Sequence, residues 1–360
     1  MSDTIYYLIQ EKLNNYAIGF PATESGIEIK LLKKLFSEPD ARLFLELTLS
    51  LEDPQSIARR TGRELSAVSE QLEGMAGKGL LFRLRRKEKI RYAAAPYVVG
   101  LYEFQVGRMD REFAELSEAY FKEAMFKSIS GAILPLRTVP VDQSIKPELR
   151  IAPYADVKKI IAGKDKIAVL PCVCRVQQLQ LDSECEKPTE VCMAFGSHAD
   201  YYVENGWGRY IDQNEAQTIL DTSEKAGLVA QPGSTINPGG LCNCCGDCCG
   251  LLRALKLIPN PAAHVLNNYT AIVNQEACTG CETCLDRCQI DAITMNNQDL
   301  ASINPARCIG CGLCITTCPG EALHLHAKPE SEQQIPFANS LKAAMETASS
   351  RGISLDQLKK

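Results

Sequence analysis

The spacing of apolar positions changes repeatedly along the chain, and each change predicts an element. Residues 1–36 mix apolar and charged positions at helical spacing and break at Gly19-Phe20-Pro21. From Glu38 a helix begins with Pro39 in its first turn and runs towards Leu49, and Asp53-Pro54 supplies the cap and first residue of a second. Thr61-Gly62-Arg63 turns into a third helix over residues 64–78, closed by Gly79. Two apolar strands over 80–84 and 90–94 follow, joined by Arg85-Arg86-Lys87-Glu88. Residues 97–130 read as a long helical connection whose apolar face carries Phe104, Met109, Phe113, Leu116, Tyr120 and Phe121, a stripe suited to core or a dimer seam. Prolines at 135, 140, 147 and 153 then punctuate extended segments before a short helix over 154–161 and a buried strand over 166–170. Asp212 caps a helix in which Glu215 completes a capping box and Gly227 is the stop, with Ala216, Ile219 and Leu220 facing inward. Residues 328–336 read as a polar linker and 337–351 as one terminal amphipathic helix.

The pattern is that of an α+β chain in five parts: 1–96 with the three helices and hairpin, 97–135 as a helical connector, 136–265 as a mixed α/β middle domain, 266–327 as a C-terminal domain and 328–360 as a tail. At 360 residues, 45% apolar and 23% charged, the composition is that of a globular protein. The net charge of −5 argues against a nucleic-acid coat, yet residues 57–91 hold ten Lys or Arg against four Glu, a local +6 that leaves −11 elsewhere. Asp3, Glu11 and Lys12 make the first twenty residues unlike a secretory signal, and no apolar run approaches the ~20 residues that span a bilayer. A cytoplasmic location without a membrane span is expected.

Cysteine changes the picture most. The seventeen cysteines are an odd number and too sparse for a disulfide scaffold, which favours metal ligation in a reducing compartment. Eight form two successive copies of C-x2-C-x2-C-x3-C: Cys278, Cys281, Cys284 and Cys288, then Cys308, Cys311, Cys314 and Cys318. Sliding the chain by thirty residues superposes Val273 on Ile303, Gly280 on Gly310, Ala292 on Ala322 and every cysteine on its counterpart. Each half reads as short strand, loop, short helix, short strand. The segment resembles the bacterial two-cluster ferredoxin module. In runs of this kind the fourth cysteine serves the other copy's cluster, so the resemblance implies two 4Fe-4S clusters, one on Cys278, Cys281, Cys284 and Cys318, the other on Cys308, Cys311, Cys314 and Cys288. Gly280 and Gly310 would let backbone amides approach the inorganic sulfides. Gln289 departs from the proline usual after the fourth cysteine, whereas Pro319 follows Cys318. A pair of zinc knuckles is the plainer alternative, but zinc needs no crossed repeat.

Nine further cysteines lie upstream: Cys172, Cys174, Cys185 and Cys192, then Cys242, Cys244, Cys245, Cys248 and Cys249. A Cys-x-Cys at the end of a strand puts both thiolates on one side of the pleat, and Gly246 and Gly250 would permit turns in the Cys-Cys-Gly strings. One or more additional iron-sulfur clusters, or zinc, are expected here; His198 reads as a surface or core residue. The order helix, helix-turn-helix and basic hairpin before this domain resembles a winged helix, whose third helix carries Glu64, Glu70 and Glu73 against a single Lys78, a poor charge for a DNA groove. The whole is similar to a group of cysteine-rich ferredoxin-type proteins of anaerobic microbes with an N-terminal winged-helix-like domain. No Gly-rich dinucleotide or phosphate loop is present. These features imply low-potential electron transfer with a redox partner protein, as a carrier or oxidoreductase component rather than a stand-alone enzyme. An iron-sulfur redox sensor that binds DNA is the alternative, and a homodimer is compatible with the aromatic stripe.

Overall fold

The computed structural model describes residues 3–16, 18–130, 134–145, 149 and 151–354; Pro147 and the last six residues of the tail lie outside this set. Helices α1 (Thr4–Asn14), α2 (Ile27–Leu35), α3 (Glu38–Glu46), α4 (Pro54–Thr61) and α5 (Leu65–Gly77) lead into an antiparallel hairpin, β1 (Phe82–Arg86) and β2 (Lys89–Ala93). Asp53 is the cap expected for α4, accepting the N–H of Ser56; Ser37, before the expected start, caps α3 by accepting that of Asp40, and Pro39 and Pro54 occupy first turns.

The connection over 97–130 is not one helix. Val98, Val99 and Gly100 have non-helical backbone angles, and Asp110 caps a fresh start for α6 (Arg111–Tyr120), which continues into α7 (Phe126–Ser130). Phe104, Phe113, Tyr120 and Phe121 are buried as core.

The middle domain is a five-stranded antiparallel sheet of order β5-β3-β4-β7-β6, made of β3 (Ile167–Pro171), β4 (Glu190–Phe195), β5 (Arg209–Ile211), β6 (Val229–Pro232) and β7 (Gly240–Cys244). Its helices are α8 (Val157–Ala162), α9 (Val173–Gln180), α10 (Ser197–Glu204), α11 (Gln213–Lys225) and α12 (Gly250–Lys256). Strand alternation divides the sheet into two faces. Ile167, Met193, Phe195 and Leu241 pack with Ile160 and Ile161 of α8 and with Ala216 and Leu220 of α11. The opposite face carries Cys192, Cys242 and Cys244. Asp212 caps α11 through the N–H of Glu215, but Glu215 does not complete a capping box: its carboxylate pairs with Arg209 at 2.6 Å.

The C-terminal domain comprises β8 (Tyr269–Val273), α13 (Thr283–Arg287), β9 (Ile293–Met295), β10 (Ala301–Ile303) and β11 (Leu323–Ala327). The thirty-residue repeat is visible as pairing, β8 with β11 and β9 with β10, both antiparallel, although the second half has turns where the first has α13. The tail ends in α14 (Ser340–Ser350), and Arg351 donates to the Asn14 carbonyl of α1 at 2.8 Å. One contiguous cluster of buried apolar residues runs from Ile9 through Phe121 and Cys244 to Leu313 and Leu323. No helix among the described residues is long and apolar enough to cross a membrane.

Candidate metal centres

In the C-terminal domain each cysteine loop turns sharply at a glycine. Gly280 and Gly310 both have φ +68, and a Cβ there would lie 2.4 Å from the Asp299 carbonyl oxygen and 2.3 Å from that of Tyr269. Asp299 and Tyr269 are themselves thirty residues apart, so the same strand end crosses the same loop in each half. The glycines are thus required by conformation and by a crossing carbonyl. The eight thiols fall into two groups. The charges acting on Cys284 are those of Cys281, Cys278 and Cys318. Those acting on Cys311 are Cys288 and Cys308, and those acting on Cys314 are Cys311, Cys308 and Cys288, with a smaller one from Cys284 of the other group. Cys278, Cys281, Cys284 and Cys318 line a common cavity.

Four backbone N–H groups point at sulfur in symmetric pairs: Ala271 at Cys308 (3.4 Å), Ala301 at Cys278 (3.5 Å), Ala292 at Cys288 (3.2 Å) and Ala322 at Cys318 (3.3 Å). Such donors stabilise thiolate charge, and an open pocket rimmed by four thiols fits a polynuclear thiolate-bound cofactor. Burial is unequal. Cys281 is exposed, while burial pushes the Cys311 thiol up to about 12.

The middle cysteines are assembled differently. Cys172 and Cys174 do not share a strand: Cys172 follows β3 and precedes α9, and Cys174 lies inside that helix, so a strand-to-helix turn brings them together. The pleat argument applies instead to Cys242 and Cys244 on β7. The β4–β7 register sets Met193 opposite Leu241, which makes Cys192 and Cys242 the next cross-strand pair. Six thiols act on one another around a closed ring: Cys172 on Cys174 and Cys192, Cys174 on Cys249, Cys249 on Cys244, Cys244 on Cys242 and Cys242 on Cys192. The remaining three, Cys185, Cys245 and Cys248, are a separate group with sulfurs all within 4.8 Å of one another. Each Cys-Cys pair is therefore divided, Cys244 and Cys249 to the ring and Cys245 and Cys248 to the trio, because successive side chains on extended backbone point opposite ways.

Arg175 stands between the groups. It is 1% exposed, donates from Nη2 to the Asn243 carbonyl at 3.1 Å, and leaves Nε and Nη1 without partners. Its charge is stabilised by Cys172, Cys245, Cys244 and Cys192, and no carboxylate pairs with it among the described residues. A buried guanidinium cannot lose its proton, so the thiols around it must supply negative charge. Cys172 and Cys245 answer that need. The Cys174 and Cys192 thiols pull Cys172 down, Cys248 pulls Cys245 down to about 5, and Arg175 adds to both. Glu103, next to the ring, is pushed up to about 7 by burial and accepts the Gly100 N–H at 2.6 Å.

Two glycines of the cysteine strings also serve close approach, Gly246 within its turn and Gly250 at the start of α12. A Cβ on Gly250 would meet the Phe121 ring at 2.7 Å, and one on Gly246 would meet the Gln289 carbonyl oxygen at 2.5 Å. The Gly246 N–H also donates to Gln289 Oε1 at 2.8 Å, in a buried contact. The residue that departs from the ferredoxin pattern is thus the one that joins the C-terminal domain to the cysteine string. Arg287 and Arg307 complete this docking by donating to the last carbonyls of α11 and to those of Lys256 and Ile258 at the end of α12. His198 stacks on Phe82 at 4.8 Å, away from a ligand role. Arg175 is the residue of the candidate site that sequence reasoning missed, and nothing in the sequence marked it; Gln289 was marked by its break from the expected proline, but not its contact with Gly246.

Residues 271–325 match the family model of a 4Fe-4S dicluster domain, which makes the C-terminal segment similar to a ferredoxin-type iron-sulfur module. No curated protein and no solved structure matches the chain.

Proposed function

We propose that the chain is a low-potential iron-sulfur electron-transfer protein working with a redox partner protein in the cytoplasm. Cys278, Cys281, Cys284 and Cys318 would hold one 4Fe-4S cluster, Cys308, Cys311, Cys314 and Cys288 a second, and the six-thiol ring a further iron-sulfur centre. Bound clusters of this type supply one-electron transfer at low potential. The observation that carries the reading is the symmetric set of N–H groups aimed at Cys278, Cys288, Cys308 and Cys318, because it repeats at the sulfurs the same thirty-residue relation as the motif. Exposed Cys281 supports exchange with the partner at that end. Gln289, bonded to Gly246, supports onward passage to the middle domain. Seventeen free cysteines suit a compartment that keeps thiols reduced.

The N-terminal helices and hairpin, which we read as winged-helix-like, act as a docking element in this account. Arg83 and Arg85 of the hairpin are occupied by Glu73 and by Glu204 of α10, and Tyr201 donates to the carbonyls of Ala76 and Leu81. Anaerobic reconstitution with iron and sulfide analysis, followed by EPR of the dithionite-reduced protein, tests the function. The expected result is ~12 or more irons per chain with low-potential signals, each four-iron site adding four. A colourless protein holding only zinc would sink it.

A further inference from the structure

Two kinds of cysteine grouping coexist in the middle domain, and their spacing differs in a way that bears on what each can hold. In the ring, neighbouring thiols touch, yet no three of them stand within 4.8 Å of one another; the same is true of the eight C-terminal cysteines. Cys278, Cys281, Cys284 and Cys318 line an open cavity. Cys185, Cys245 and Cys248 are the one compact trio among the described residues. Thiolates on one tetrahedral ion with metal–sulfur bonds of ~2.3 Å stand about 3.8 Å apart, whereas thiolates on a cluster sit on separate irons and spread wider. The trio has the spacing of a single ion.

We propose that Cys185, Cys245 and Cys248 bind one zinc ion, separate from the ring, with the fourth position left to a water or a small thiolate. Three observations besides spacing support this. No fourth cysteine, histidine or carboxylate among the described residues joins the trio, and Asp247, beside it in sequence, is engaged by Lys187 at 2.9 Å. Three thiolates and a dication leave one negative charge, and the buried Arg175 and the Lys187 ammonium face Cys245 to balance it. Finally, the three ligands come from a loop and from both ends of one turn: Cys185 lies between α9 and β4, while Cys245 and Cys248 flank Gly246-Asp247, and the Cys249 N–H donates to the Cys245 carbonyl at 3.1 Å. A turn that presents two thiolates while a third arrives from elsewhere is a soft, low-coordinate site that suits zinc, with an open position of the kind catalytic zinc keeps.

The inference rests on the electron-transfer reading only in taking the ring as the separate iron site. The test is zinc and iron per chain, measured on the full-length protein produced anaerobically with both metals, for wild type, Cys185→Ser, Cys248→Ser and Cys244→Ser. Wild type should hold about one zinc per chain. Cys185→Ser and Cys248→Ser should lose it at least fivefold with iron unchanged, and Cys244→Ser should lose iron with zinc retained. EPR of the C-terminal clusters reports whether each variant is folded. X-ray absorption at the zinc edge of wild type needs no variant and should give three sulfurs and one lighter atom. A shell of four sulfurs, absence of zinc from wild type, or equal iron loss in Cys185→Ser and Cys244→Ser would overturn the proposal. Absence of the C-terminal EPR signals from wild type that still holds zinc would instead sink the electron-transfer reading and leave this site standing.

Discussion

The C-terminal domain and the middle domain both gather thiols, but by opposite means. In the C-terminal domain the thiols sit on two short loops that repeat, and the N–H donors to sulfur repeat with them. In the middle domain the turn into α9, three positions on two strands and the cap of α12 contribute to one ring, and the order of the ring follows no sequence spacing. Local geometry can be copied as a module; the ring exists only in a correctly registered sheet. It follows that damage to the first should remain within one four-cysteine group, whereas damage to the second should spread around the ring.

The largest effect would test that contrast directly. Cys278→Ala and Cys318→Ala should each abolish the same EPR signal, Cys288→Ala and Cys308→Ala the other, with the second signal retained in each case; unrelated losses within a pair would break the grouping. Cys174→Ala should leave both signals and remove iron from the middle domain.

Next in size is Gly280→Ala. The new Cβ meets a backbone carbonyl at a left-handed φ, so the change should cost about 3 kcal/mol and be seen as a lower unfolding midpoint in denaturant. A shift of less than a third of that would show the loop to be softer than its crossing strand implies.

A smaller loss is expected from Glu118→Gln on α6. Burial favours the protonated carboxyl, but Arg253 of α12 and further donors outweigh it and hold Glu118 at about 2, below the usual 4.5. A depressed folded value means that this stabilisation is present above 4.5 and is lost as pH falls from there towards 2. Glu118 also receives Gln177 and Gln178 of α9, the helix that carries Cys174 and Arg175. The variant should lose about 2 kcal/mol at pH 7, with no deficit remaining at the acid end. A deficit independent of pH would point to packing alone.

Gln289→Pro, which restores the ferredoxin pattern, removes the acceptor of the Gly246 N–H and should cost about 1 kcal/mol while sparing both C-terminal EPR signals. Loss of a C-terminal signal would show that Gln289 belongs to the module and not to the junction. The smallest effect concerns the hairpin. Any duplex-DNA affinity should be sequence-blind and gone by about 200 mM salt in a gel shift, since Arg86 and Lys87 would neutralise phosphates without reading bases.

What could be read without coordinates follows the same division. The two cysteine repeats and the caps at Asp53 and Asp212 are short-range features, legible in spacing. The division of nine cysteines into six and three was not, because it depends on the β4–β7 register and on the alternation of side chains at Cys244-Cys245 and Cys248-Cys249. Cys172-x-Cys174 misled for a related reason: a strand that ends at Pro171 hands the pair to a helix, and nothing in the motif marks the change. The turn at Gly246 was legible, but the close approaches at Gly246 and Gly250 were not, because the Gln289 backbone and the Phe121 ring come from distant parts of the chain.

The hydrogen bond between Gly246 and Gln289 also ties the two cysteine regions to one another. The string that carries Cys245 and Cys248 finds its acceptor in the residue that follows Cys288, whose own sulfur accepts the Ala292 N–H. Because the contact is reciprocal, loosening of either side would be felt at the other, and a chain lacking its C-terminal cofactors would hold its middle thiols less firmly.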